Sequence, residues 1–247
     1  MDGFRVADVF RTLDDAFDPV RARLLRDPAP ATLLFSGGVD SSLLAHELRS
    51  MPGLELLVVG RSGSPDIAQA TSGAAALGRS LRALEITATD VAAATSEYSA
   101  DLADAQGPAR DVAVAFALAT QRAPSSRVLT AQGVDELFLG YHHFRALPPA
   151  TAEARALRDL EELRTREWPR AVRIARRSNH ELEAPFLDPG WIRAVLTIPI
   201  EARLPHPEAK RLFRAWAEHR GLPAEIAHRP KRAMQYGSRV HQLLGGS

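Results

Sequence analysis

A chain of 247 residues, 45% of them apolar and with a formal charge of +1 at pH 7, is long enough for one α/β domain with a full core, and it offers no global field for a nucleic acid or a membrane surface to read. It contains no cysteine, which excludes a disulfide framework, a thiolate metal site and a cysteine nucleophile on this chain. No basic-then-apolar leader opens it, and no apolar run reaches the roughly 20 residues of a membrane helix, so the cytoplasm is the expected location.

Residues 4–25 place Val6, Val9, Phe10, Leu13, Phe17, Val20 and Leu24 at helical spacing and predict an amphipathic helix, ended by Asp27-Pro28-Ala29-Pro30. A short β-prone run from Ala31 then stops at Ser36-Gly37-Gly38, and a helical pattern starts at Asp40 or Ser41 and runs to Arg49. Two adjacent glycines let the backbone take φ > 0 and approach a ligand closely. Ser36 and Ser41 add hydroxyls, and the helix start adds unpaired N–H groups, so the turn suits an anion, foremost a pyrophosphate. After Pro52-Gly53, residues 54–60 read as a buried strand. Gly63-Ser64-Pro65-Asp66 caps a helix running to about Leu77, Gly78 stops it, and residues 81–86 form a third strand. Helices over 90–102 and 109–122 precede a fourth strand at 127–130. The alternation predicts a doubly wound, mainly parallel sheet with ligands at the carboxyl ends of its strands.

From Leu147 strand signals fade, and helices are expected over 152–166, 169–177, 191–196 and 208–220, with proline-rich joints between them. The expected division is one domain: an N-terminal helix (1–30), a nucleotide-binding α/β core (31–146) and a helical part packed on the sheet that completes the site (147–247). Only two of the 31 basic residues are lysine, Lys210 and Lys231. Lysine is a compact, rotatable charge, so both are candidates for specific roles.

The fourth strand leads into Thr130-Ala131-Gln132-Gly133-Val134-Asp135-Glu136. Beside an anion-binding turn, Asp40 and Asp135 are the pair placed to share a Mg²⁺, which prefers oxygen ligands. The string Ser36-Gly37-Gly38-Val39-Asp40-Ser41 resembles the pyrophosphate loop of ATP pyrophosphatases. No Gly-Lys-Ser/Thr follows, so it is not a Walker-type loop. With Gly133-Val134-Asp135-Glu136-Leu137-Phe138, Pro185-Phe186-Leu187-Asp188, Lys210 with Arg214, and Arg229-Pro230-Lys231, the chain resembles the synthetase domain of glutamine-dependent asparagine synthetases and their β-lactam synthetase relatives. The resemblance runs from about residue 30 to 240 and implies an adenine nucleotide alpha hydrolase-like fold. It implies that Ser36, Gly37, Gly38, Asp40 and Ser41 hold the ATP phosphates, that Val59, Thr130 and Ala131 contact the nucleoside, and that Asp40 and Asp135 bind Mg²⁺. Lys210 is then expected on the α-phosphate and Lys231 on the pyrophosphate. The implied chemistry is adenylation of a substrate carboxylate followed by displacement of AMP by ammonia or an amine.

Three departures bear on that reading. The family's synthetases usually carry a preceding glutaminase domain with an N-terminal cysteine; with no cysteine here, nitrogen is expected from free ammonia, a substrate amine or a separate glutaminase subunit. Asparagine synthetases carry glutamate where this chain has Gln132, which can orient groups but has no basic site of that kind; Glu136 is read either as its substitute or as a structural cap. The family's Glu-x-Arg before Pro185 reads Glu181-Leu182-Glu183 here, an anion for a cation near the side the resemblance assigns to the substrate. His142 and His143 read as surface residues. Two further readings stay open: a pyrophosphatase modifying RNA or a small molecule, with Arg170, Arg173, Arg176 and Arg177 as a local basic stripe or simply a solvated helix face, and a non-catalytic nucleotide-binding regulator. The near-balanced charge argues against a nucleic-acid partner, and a homodimer stays open.

Overall fold

The structure, a computed structural model, describes residues 6–206 and 208–229. In chain order it runs α1 (Val6–Arg26), β1 (Ala31–Leu34), α2 (Val39–Glu47), β2 (Leu54–Gly60), α3 (Pro65–Ala76), β3 (Leu81–Glu85), α4 (Ala88–Glu97), α5 (Gly107–Gln121), β4 (Arg127–Leu129) and α6 (Val134–Leu137). The helical half follows: α7 (Pro149–Glu162), α8 (Trp168–Arg177), a strand β5 (Glu181–Glu183), then α9 (Pro189–Thr197), α10 (Ile200–Arg203), α11 (Arg211–His219) and α12 (Ala224–Ala227).

The sheet order is β3-β2-β1-β4-β5 and every pairing is parallel. Connections wind outward from β1 through β2 and β3, then return to lay β4 on its other side, so the order reverses between β1 and β4. In such sheets the loops leaving two strands at the reversal splay apart and open a crevice at their carboxyl ends. Here those loops are the diglycine turn and the Thr130–Gly133 segment.

The fifth strand corrects the expectation that no strand follows Leu147. Three residues with two glutamates carry no apolar signal, and β5 exists through its partners. Glu181 N donates to Ser126 O at 2.7 Å, Thr130 N donates to Glu183 O at 2.9 Å, and Arg127 Nε meets Glu183 Oε1 at 2.5 Å. Glu183 therefore balances a strand-borne arginine, and the anion-for-cation exchange lies away from the crevice.

Several boundaries also move: the helix expected over 90–102 is Ala88–Glu97, and that over 208–220 is Arg211–His219. The first helix of the core starts at Val39 with Gly38 as its N-cap, because Gly38 O already accepts from Ser42 N at 3.0 Å. The segments expected at 152–166 and 169–177 form one rod, joined by a widened turn, Leu163–Glu167, in which Trp168 N reaches back five residues to Leu163 O. Pro169 has no N–H to give and crowds the carbonyl four residues earlier, which favours such a widened turn.

On one face of the sheet, Phe17 of α1 stacks on Phe186 (5.3 Å) and meets Trp216 edge-on (5.5 Å), with Trp191 and Trp216 5.1 Å apart. This buried cluster takes residues from α1, α2, β1, α9 and α11 alike. The other face is covered by α4, α5 and α8 through Tyr98, Val114, Leu118 and Ile174.

Candidate active site

The crevice between β1 and β4 is built first by glycine. Gly37 has φ +70°, and a Cβ there would stand 2.5 Å from the Gln69 carbonyl oxygen of α3. On α3, a Cβ at Gly73 would lie 2.9 Å from the Gly37 Cα. Turn and helix thus touch backbone to backbone. Of the two glycines only Gly37 takes φ > 0; Gly38 is extended at φ −77°. Ser36 N donates to Ser41 Oγ at 3.2 Å and Gly38 N to Ser36 Oγ at 3.3 Å. Gln69 Nε2 donates to Ser36 O at 3.2 Å, and Arg229 Nη1 donates to Gln69 O at the same distance. The turn is therefore braced from both sides, and Ser36, Gly38, Val39, Asp40 and Ser41 line the crevice.

Lys210 closes the far side. Its side chain is 2% exposed, and Nζ sits 2.5 Å from Asp40 Oδ2 and 2.8 Å from Asp135 Oδ1. Burial opposes the ammonium charge, but Asp135 and Asp40 outweigh it and hold the Lys210 pKa above the ordinary lysine value. The lysine immediately precedes α11 in a left-handed conformation, φ +59°, which costs an L-residue about 1–2 kcal/mol. The opposing wall has two glycines with defined jobs. A Cβ at Gly140 would overlap the Asp135 carboxylate and the Lys210 stem. Gly133, at φ +103°, lets the β4 loop turn over Phe186 and Leu187, where a Cβ would come within 2.7 Å of Leu187 Cδ2.

The resulting cavity of about 230 Å³ is lined by Ser36, Gly38, Asp40 and Ser41 from the first loop, Val59 from β2, Thr130, Ala131, Gln132 and Asp135 from the β4 side, and Lys210. Gly37 faces α3 instead of the cavity. Lys231 lies outside the described residues. Asp66 and Arg229, quoted in the sequence only as parts of strings without a role, and Gln69, which the sequence did not single out, also line the cavity. Asp66 sat in a capping string, but Ser64 caps α3, accepting from Ile67 N, which leaves Asp66 at the crevice. Arg214 also reaches the lining, yet its guanidinium serves carbonyls. It donates to Ala209 O (2.9 Å), to Ala227 O and to Arg229 O (3.1 Å), tying α11 to the residues around α12.

Glu136 turns away from the first cavity into a second of about 360 Å³, which shares Val112, Phe116 and Gln132 with it. It is not the cap of α6, a place held by Gly133. Tyr141 donates its hydroxyl to Glu136, and burial, then the neighbouring Asp135, push the carboxyl up to about 7. His142 and His143 lie exposed on the turn after α6; His143 meets Asp159 at 3.1 Å. The arginine stripe on α8 is largely spent internally. Arg170 pairs with Asp104 (2.9 Å), while Arg173 and Arg177 both pair with Asp101 (3.3 and 3.5 Å).

Over residues 12–173 and 149–246 the chain matches the asparagine synthase family. A glutamine-hydrolyzing asparagine synthetase of Cricetulus griseus is 31% identical over 250 residues, covering 95% of this chain and 44% of the relative. The Homo sapiens enzyme of that name is 30% identical with the same coverage, and that of Gallus gallus is 29% identical over 232 residues, covering 88% and 41%. The chain thus spans less than half the length of these curated relatives. Among solved structures, a predicted subunit of a tRNA methyltransferase from Methanocaldococcus jannaschii is 17% identical with a TM-score of 0.39, covering 80% of this chain and 92% of that one, a likeness too loose to carry a functional argument.

Proposed function

The chain belongs to the asparagine synthase family, and from that premise we propose that it is an ATP- and Mg²⁺-dependent ligase that adenylates a substrate carboxylate and passes the acyl group to a nitrogen nucleophile. The observation carrying this reading is the convergence of Asp40, Asp135 and Lys210, from three separate segments, at the mouth of the diglycine turn. A triphosphate laid across the crevice would place its β and γ phosphates on the α2 amides with Ser36, Gly38 and Ser41, and its nucleoside along Val59, Thr130 and Ala131. Lys210 would then face the α-phosphate. A substrate carboxylate oxygen attacks the α-phosphorus, pyrophosphate leaves, and nitrogen displaces AMP from the acyl carbon. Both transition states gather negative charge on oxygen, which a fixed, desolvated ammonium stabilises. Lys231 is assigned to the departing pyrophosphate by family resemblance alone.

Asp40 and Asp135 present carboxylate oxygens to one point, marked by Lys210 Nζ. Among the described residues no group of three or more His, Cys, Asp or Glu is set to hold a metal by itself. The pair would hold a hard cation, which takes its other oxygens from phosphate and water as Mg²⁺ does, once Lys210 Nζ leaves that point for the α-phosphate. Such an ion, when bound, would offset charge on the leaving pyrophosphate. Gln132, at the border of the two cavities, is assigned to orienting the incoming nitrogen, and Glu136 to the wall of the nitrogen side. Aspartate with ammonia, giving asparagine, is the first substrate pair to try, and a separate glutaminase is an alternative nitrogen source.

Incubation with ATP, Mg²⁺, aspartate and ammonium is expected to release pyrophosphate and AMP. ADP and phosphate as products would refute the mechanism. The RNA-modifying reading is disfavoured by the internal pairing of Arg170, Arg173 and Arg177.

A further inference from the structure

Adenylation accounts for the first cavity but makes no use of the second. Ammonia, a molecule of water's size with a share of about 30 Å³, would leave most of its 360 Å³ unfilled. Pro108 and Ala113 of α5 and Ala171 and Ile174 of α8 supply apolar lining, Gln132 and Glu136 come from the segment after β4, and Glu167 stands one helical turn before Ala171 on the same rod. The buried Gln132 Oε1 has no hydrogen-bond partner, an omission that costs about 1–3 kcal/mol unless a ligand answers it. Glu167 comes from the widened turn between α7 and α8, a distortion that recurs at functional sites. Burial and Glu162 raise its carboxyl above the usual value, with Arg170 only partly opposing them. The remaining charges on the lining are largely committed. Arg155 and His143 both close on Asp159 (2.6 and 3.1 Å), and Arg170 is engaged by Asp104 outside the cavity. The cavity is thus rich in acceptors, with apolar side chains of α5 and α8 beside them.

We propose that this second cavity seats the nitrogen nucleophile as an organic primary amine, its ammonium held by Gln132 Oε1 and the carboxylates of Glu136 and Glu167, its carbon chain along α5 and α8. An alkylammonium has three N–H donors for three acceptors, and Gln132 belongs to both cavities, so the nitrogen lies on the side where the acyl-adenylate forms. The assignment rests on the adenylating-ligase reading. In the transfer, the ammonium first loses one proton to solvent. Its lone pair then forms the C–N bond as the acyl C–O bond breaks, AMP leaves with that electron pair, and the second N–H proton passes to solvent.

The test starts with carboxylate-dependent exchange of labelled pyrophosphate into ATP, scanned over amino acids and short dicarboxylates. With a carboxylate that supports exchange, amide formation is measured against ammonium chloride and n-butylamine. The expected result is a KM for butylamine at least tenfold below that for ammonium. Glu167→Gln is expected to raise the butylamine KM tenfold or more with little change in kcat, and Glu167→Asp to recover part of the loss. Ala171→Phe, which fills the apolar wall, should lower butylamine turnover at least tenfold more than ammonium turnover. Equal KM values for the two nitrogen sources, or a Glu167→Gln protein with an unchanged butylamine KM, would overturn the proposal while leaving adenylation standing. Absence of exchange with every carboxylate would take down the adenylation reading and this proposal together.

Discussion

Lys210 can be replaced by nothing of equal shape. It is buried to 2% exposure between two carboxylates, and arginine's planar fork needs more room than a rotatable ammonium. Lys210→Met is expected to cut pyrophosphate exchange about 100- to 1000-fold, the usual loss when one transition-state donor is removed, and Lys210→Arg to restore little of it. Gly140→Ala tests the same point from the opposite wall, since the added methyl would push Asp135 and the lysine stem apart. Exchange should fall at least tenfold, while unfolding stays cooperative with a loss of about 1–3 kcal/mol in urea titration, as for an overpacked site. At this scale the sequence was informative where a side chain belongs to a contiguous string. Ser36, Asp40, Ser41 and Asp135 were legible because strand, glycine turn and helix start are local events. Asp135 and Glu136 show the limit: they are adjacent in a one-turn helix, yet one faces each cavity, and no periodicity can be read from four residues. Glu183 was opaque for a related reason, since its partner Arg127 lies 56 residues away.

Elements that carry their own signal were legible, down to the three-residue β4, and those imposed by neighbours were not. The amphipathic run of α1 and the turn residues bounding β2 and α3 carry their signals within themselves. β5 and the widened turn before α8 are imposed by neighbours, a sheet edge in one case and Pro169 in the other. The α11–α12 corner carries a pH dependence. His228 bridges Glu208 (2.8 Å) through Nδ1 and Glu218 (3.2 Å) through Nε2, which requires both ring nitrogens to be protonated. The hydrogen bond with Glu218 leads in raising its pKa above 6.5, against a partial desolvation penalty. A raised folded-state pKa contributes stability that is complete below the unfolded value and is lost as pH climbs through the folded one. His228→Gln should therefore lower Tm by about 1–3 °C at pH 5.5, in keeping with a half-exposed pair. The difference should vanish above the folded pKa, and thermal scans of both proteins from pH 5.5 to 9 will show it.

Across the whole molecule, Arg220 at the end of α11 gathers the parts together. It meets Glu47 of α2 (2.8 Å) and, on α1, Asp14 (3.1 Å) and Asp18 (2.8 Å). Arg220→Ala should cost about 2–3 kcal/mol in urea denaturation, short of a fully buried pair because Arg21 still answers Glu47 at 2.9 Å. Pyrophosphate exchange measured well below the new transition should be little altered. The layered α/β plan was legible because alternating strands and helices admit few topologies. The second cavity was not, because its walls come from α5, the segment after β4, and the α7–α8 rod, which only folding brings together. One consequence concerns its partition. The ring of Phe116 borders both compartments and no phosphate-gripping group stands on its helix. On the adenylating-ligase reading, Phe116→Ala would widen the border between the two rooms, which Val112 and Gln132 also form, and broaden the range of nitrogen donors taken up without touching the residues assigned to the triphosphate.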